Sequence, residues 1–100
     1  MAYSMNDIVL RLQCWYAHQC NGTWEHARGI TIETLDNPGW KVEIDLAGTK
    51  WENLAWKELK VERADDDWIN CSKQNGIFQG YGDSSKLVAI LNDFLEQVKT

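Results

Sequence analysis

The stretch from residue 36 to residue 46 constrains this chain more than any other. Asp36-Asn37-Pro38-Gly39 concentrates turn chemistry, with Pro fixing its φ and Gly free to take positive φ. Directly after it Trp40, Val42, Ile44 and Leu46 alternate with Lys41, Glu43 and Asp45. A period of two sends four apolar side chains to one face and the charges to the other, which is the pattern of a half-buried strand. Before the turn, Trp24 to Leu35 also reads as a strand, most clearly where Ile30 and Ile32 alternate with Thr31 and Glu33. The two runs predict an antiparallel hairpin whose apolar face something else in the chain must cover.

The covering elements lie at the ends. Met5, Ile8, Val9, Leu12, Trp15 and Tyr16 recur at three- and four-residue steps, predicting an amphipathic helix from Met5 to Gln19, with Ser4 and Asp7 resembling a capping box. Asp7, Arg11, Cys14 and His18 fall on its opposite side. Leu87, Ile90, Leu91, Phe94, Leu95 and Val98 mark a C-terminal helix, with Asp83, Ser84 and Ser85 as caps. Between the hairpin and that helix, Trp56 to Arg63 reads as a third strand, after a connection at Lys50 to Ala55. Trp68 to Lys73 and Ile77 to Tyr81 flank Gln74-Asn75-Gly76, a strong hairpin cue, and supply the fourth and fifth strands. The expected fold is α+β: an N-terminal helix, a meander-like antiparallel sheet of about five strands, and a C-terminal helix, with both helices on one sheet face. At 100 residues, one domain spanning 1–100 is expected.

Ten Lys and Arg against fifteen Asp and Glu give a formal charge of −5, which disfavours nucleic-acid phosphates and anionic membranes and favours a basic partner. The N-terminal dozen residues have neither a basic segment nor a continuous apolar one, so no signal peptide is expected. No run of 18 apolar residues occurs. Cys14, Cys20 and Cys71 cannot all pair within one chain, and a cytoplasmic, reducing location is expected. Six tryptophans in a chain with two Phe either dominate a core this small or are left in part at the surface for a partner, and composition alone does not divide them.

Motifs that carry chemistry are weak. Cys14, His18, Cys20 and His26 are zinc-type ligands without a zinc-type spacing, so no metal or cofactor is assigned. Cys14 with His18 lacks a third group to orient the imidazole for nucleophilic work. Glu33, Asp36, Glu43 and Asp45 are better read as turn and solvated-face residues than as an acid–base pair. Gly80-Tyr81-Gly82-Asp83 carries an acid where a phosphate loop needs none, and reads as a strand-to-helix turn.

One resemblance is more specific. Trp24-Glu25-His26, Gly29-Ile30, the run from Glu33 to Trp40, Ile44-Asp45-Leu46 and Gly48-Thr49 together resemble the signature of immunity protein family 53, which accompanies bacterial polymorphic toxins. The likeness extends back to Trp15-Tyr16 and Cys20, and forward to Asp67-Trp68, Cys71, Phe78, Gly80, Gly82-Asp83 and the last helix. Between Lys50 and Asp66 no motif matches. The resemblance implies a non-catalytic protein that binds and neutralises a cognate toxin domain, with nucleases one class of toxin that the acidic charge suits. Trp24, Glu25, His26, Asp36 and Trp40, then Trp51, Asp65, Asp66 and Asp67, are the expected toxin contacts. The alternatives are a small cytosolic enzyme using Cys14, His18 or Cys71, and a ligand binder with a Trp-lined pocket.

Overall fold

A computed structural model describes residues 5–99. Helix α1 (Met5–Gln19) is followed by a single helical turn, α2 (Trp24–Ala27). Strands β1 (Ile30–Leu35), β2 (Gly39–Asp45), β3 (Leu59–Ala64), β4 (Asp67–Gln74) and β5 (Ile77–Gly82) precede helix α3 (Leu87–Gln97). The fold is α+β, with an N-terminal helix, five antiparallel strands and a C-terminal helix, as the periodicities predict.

The sheet order is β1-β2-β5-β4-β3. A β1–β2 hairpin and a β3–β4–β5 meander join where β2 pairs with β5, so β5 rather than β3 lies beside β2. Burial explains the order. β2 and β5 carry Val42, Ile44 and Phe78, all without solvent exposure, whereas β1 and β3 are mostly exposed. Placing the most apolar strands at the centre covers them from both sides and from above. The β4–β5 turn has Asn75 and Gly76 at φ 54° and 76°, the left-handed pair that a tight hairpin needs.

Register puts Ile44 opposite Phe78 and Val42 opposite Gly80, with Cys71 on the far side of Gly80. Helix α3 lies directly on these strands. A Cβ on Gly80 would collide with Ile90 Cγ2, and one on Gly82 would stand 2.6 Å from Lys86 Cβ. The two glycines of the Gly80–Asp83 motif therefore serve close helix-to-sheet approach. Phe94 reaches down to Phe78, with ring centroids 5.2 Å apart, and up to Trp15, 4.9 Å away and edge-on. Burying each phenylalanine contributes roughly 1.5–3 kcal/mol. Helix α1 docks on α3, with Ile8 and Trp15 buried and Arg11 paired to Glu96 at 3.1 Å. Its apolar sector is wider than the surface it docks on, since Val9 is 61% exposed.

Three elements depart from the sequence expectation. The strand expected from Trp24 starts only at Ile30. Asn21 Oδ1 accepts from the Thr23 and Trp24 N–H groups, and the Glu25 carboxylate accepts from Asn21 and Gly22, closing residues 21–25 into a capped turn. The strand expected at Trp56 starts at Leu59, because Trp56 instead packs its ring against Phe78 and Phe94. Asp83 and the serines are not the N-cap of α3, which is Lys86 and makes no side-chain capping bond. Ser4 and the Met5 side chain lie outside the described residues. Among the described residues no helix is long and apolar enough to cross a membrane.

Candidate functional site

The alternation of every strand leaves one sheet face without a helix. It carries Thr31, Glu33, Lys41, Glu43, Gln79 and Tyr81, and towards β3 it carries Asn70, Trp68 and Glu62. The antiparallel registers also sort the loops. The β1–β2 turn, the β3–β4 turn and the end of β5 meet at one end of the sheet, which we call the turn end. Residues 20–29, the long connection after β2 and the β4–β5 turn meet at the other. A strand of seven residues separates the two by roughly 20 Å.

At the turn end Asp36, Asp65 and Asp66 are exposed, and none of the three joins an ion pair among the described residues. Asp65 lines a depression of about 520 Å³ with Asn37, Glu62, Arg63, Ala64 and Trp68, and Asp36 and Asp66 are the chain neighbours of Asn37 and Asp65. The half-buried ring of Trp68 projects on the helix-free face, opposite in parity to Ile69 and Cys71. Asp67 is not free: Lys86 Nζ stands 2.8 Å from its Oδ1. Trp40 is half-buried and donates its Nε1–H to the Ser84 carbonyl at 3.0 Å, so its polar edge holds the loop before α3.

Beneath this end Asp83 is 2% exposed. Its Oδ2 accepts from the Trp68 N–H and Lys86 Nζ, both at 2.8 Å, and its Oδ1 accepts from the Ser85 N–H and hydroxyl. The Lys86 ammonium first, then these donors, hold the Asp83 carboxyl well below the usual carboxylate range, and the two carboxylates push Lys86 up. The knot fixes the backbone of Trp68 against the loop before α3.

At the opposite end the polar groups are committed to the scaffold. Trp24 is 4% exposed, stands edge-on to Trp15 at 5.9 Å and donates its Nε1–H to the Asp45 carbonyl. Glu25 is held below the usual range by backbone N–H donors, its own first and then those of Asn21 and Gly22. Asp45 pairs with Arg28 and accepts from the Ala47 N–H, and Glu52 accepts from the Gly48 N–H. Lys73 ties the connection after β2 to the sheet by donating to the Trp51, Glu52 and Leu54 carbonyls. Among the expected contacts at this end His26 is the most exposed, with 78% of its side chain open to solvent and its Nε2 4.0 Å from the Glu25 carboxylate. Trp51 is half-buried against Trp15 and lines a groove of about 370 Å³ with Trp15, His18, Gln19, Lys50 and Val98.

The nine residues singled out from the sequence are thus brought together as two sets. Asp36, Trp40, Asp65, Asp66 and Asp67 share the turn end, and Trp24, Glu25, His26 and Trp51 share the other. The run Trp24-Glu25-His26 is a helical turn and does not alternate between two sheet faces. Trp68, Asn37 and Glu62 are additions. The signal for Trp68 was the parity of its own strand, which sets it with Asn70 and Ser72.

The thiols give no activated nucleophile geometry. Cys71 is buried, and burial first, then Asp93, pushes its thiol up to about 12. Cys14 and His18 meet through the imidazole Nδ1 and the Cys14 carbonyl, at 2.8 Å, and not through the sulfur. No three of His, Cys, Asp and Glu among the described residues converge as metal ligands.

The family model described as Immunity protein 53 matches residues 9–99. No curated protein and no solved structure matches the chain significantly.

Proposed function

The chain belongs to the Immunity protein 53 family, and on that premise we propose that it binds a cognate toxin protein and neutralises it without catalysis, in the cytoplasm of the producing bacterium. The contact surface in this reading is the turn end. The observation that carries it is the contrast in commitment: Asp36, Asp65 and Asp66 are exposed and join no ion pair among the described residues, and Asp65 lines a depression walled by Trp68. An aromatic anchor inside a charged rim is the usual composition of a tight protein interface. Uncommitted carboxylates steer a basic surface toward it, so a toxin with a basic active-site face, such as a nuclease, is the partner class that fits.

The experiment is co-purification and calorimetric titration with the toxin domain encoded beside this protein. Wild type is expected to form a stable complex that rescues growth, and the affinity should fall as salt rises. A folded Asp36→Asn, Asp65→Asn, Asp66→Asn variant with unchanged affinity and unchanged salt dependence would place the contact elsewhere.

A further inference from the structure

The two outer strands of the sheet are built differently. β3 carries Lys60, Glu62 and Arg63 and a register shift between Glu62 and Ala64, devices that discourage another strand from pairing along it. β1 has one charged residue, Glu33, and no register shift. Ile-Thr-Ile-Glu-Thr-Leu has four β-branched residues in six, no Lys, no Pro and an unbroken register with β2. Thr31, Ile32, Glu33 and Thr34 are all exposed.

The direction of the β1 backbone follows from one bond. Asp45 N–H donates to the Gly29 carbonyl at 3.1 Å, so Gly29 and Asp45 form a bonded pair. Bonds in an antiparallel ladder pass only between alternate opposed pairs. Following the register, Thr31–Glu43, Glu33–Lys41 and Leu35–Gly39 are the bonded pairs of β1 and β2. Ile30, Ile32 and Thr34 therefore turn their N–H and C=O groups to the open edge. Their side chains lie on the helix-covered face, where Ile32 is still 41% exposed.

We propose that this edge pairs with the same edge of a second copy of the chain, about a two-fold axis through Ile32 perpendicular to the sheet. Ile32 then faces its own symmetry mate, Ile30 faces Thr34, and Thr31 faces Glu33. All three outward-turned residues meet outward-turned residues, so about six backbone bonds form in phase. The two exposed Ile32 side chains cover one another, and no like charges oppose. A centre on Glu33 is also in phase, but it sets two carboxylates directly opposite each other and leaves Ile30 without a partner residue inside the other β1, so only the Ile32–Thr34 pairs bond within the strands. The register through Ile32 also carries the Asp36 turn of one copy toward Arg28 of the other, a charge match at each end. Glu33 lies 3.4 Å from Lys41 Nζ within its own chain, which mutes repulsion across the axis. A self-complementary register of this kind selects a second copy over a basic toxin strand. Asp36 borders both surfaces, but Asp65, Asp66 and Trp68 lie across the sheet from β1 and the dimer is read without toxin, so this inference and the toxin contact can fail separately.

The test is sedimentation equilibrium over a concentration series, without toxin, on wild type, Ile32→Lys and Val9→Lys, joined to amide exchange read residue by residue. Wild type and Val9→Lys are expected to share a dimer, and Ile32→Lys to weaken it at least roughly tenfold by setting two ammonium groups face to face. In wild type the Ile30, Ile32 and Thr34 amides should slow as concentration rises, while Thr31, Glu33 and Leu35 stay protected throughout. That alternation needs no variant, so it decides the matter even if Ile32→Lys does not fold. A monomer at every concentration up to about 1 mM overturns the proposal. So does a dimer lost in Val9→Lys but kept in Ile32→Lys, which would move the interface to α1, and so does protection of Ile30, Ile32 and Thr34 only when toxin is added.

Discussion

The two ends of the sheet spend their polar groups in opposite ways. Around Trp24 the acids, amides and indole nitrogen bond to backbone: Glu25 and Asn21 close the α2 turn, and Trp24 anchors on Asp45. Around Trp68 one acid, Asp83, is buried and saturated, and it supports a rim on which Asp36, Asp65 and Asp66 join no ion pair among the described residues. Both ends are rich in the residue types that mark interfaces. What separates them is whether those groups are already satisfied, because a group engaged in the scaffold has to be released before it can bind a partner.

That contrast can be broken by experiment. The largest expected effect is at the committed end. Trp24→Ala should lower stability by about 3–5 kcal/mol in urea unfolding, since it empties a core site and orphans the Asp45 carbonyl. Protection from toxin would be lost only in proportion to unfolding. If the variant stayed stable yet lost toxin affinity, Trp24 would be a contact and the contrast would fail.

Asp83→Asn comes next and should lower Tm at neutral pH. The sign follows from the depressed carboxyl: its stabilisation is complete above the ordinary carboxylate range, near pH 4, and is lost as pH falls through that range toward the lower folded value. The gap in Tm between wild type and variant should therefore narrow on acidification. A gap that is constant with pH would remove the ion-pair knot from the account.

Trp68→Ala should cost about 2 kcal/mol of toxin affinity, roughly 30-fold, while unfolding remains cooperative. The triple Asp36→Asn, Asp65→Asn, Asp66→Asn exchange should slow association about tenfold at low salt and flatten the salt dependence, with stability unchanged. Smallest of all is His26→Ala, expected to change neither stability beyond about 0.5 kcal/mol nor toxin affinity. A large loss of affinity there would return the contact to the opposite end.

Much of the fold was legible because strand and helix periods differ. Val42 and Ile44 alternate about a turn-rich segment, and Ile90, Leu91, Phe94 and Leu95 recur at helical steps, so both elements announce which side they bury. The α2 turn was less legible. Trp24-Glu25-His26 has too few residues to show a period, and its helicity comes from Glu25 reaching back to Asn21 and Gly22. The division of the candidate site was not legible at all. Asp36 and Asp65 are separated by 28 intervening residues and meet at one end of the sheet only because β5 pairs with β2 and β4 with β5.

From sequence alone came the element order, the apolar face of each element, the acidic balance and the resemblance to an immunity protein family. These follow from local periodicity and from residue types, which do not depend on what lies opposite. Tertiary structure alone decided that β5 fills the place beside β2, that Gly80 exists to admit Ile90, and that Trp24 is spent on the core while Trp68 is left on the open face. Those are pairings across the chain. Whether a tryptophan or a carboxylate is free to meet a partner depends on which other groups the sheet brings within bonding distance of it.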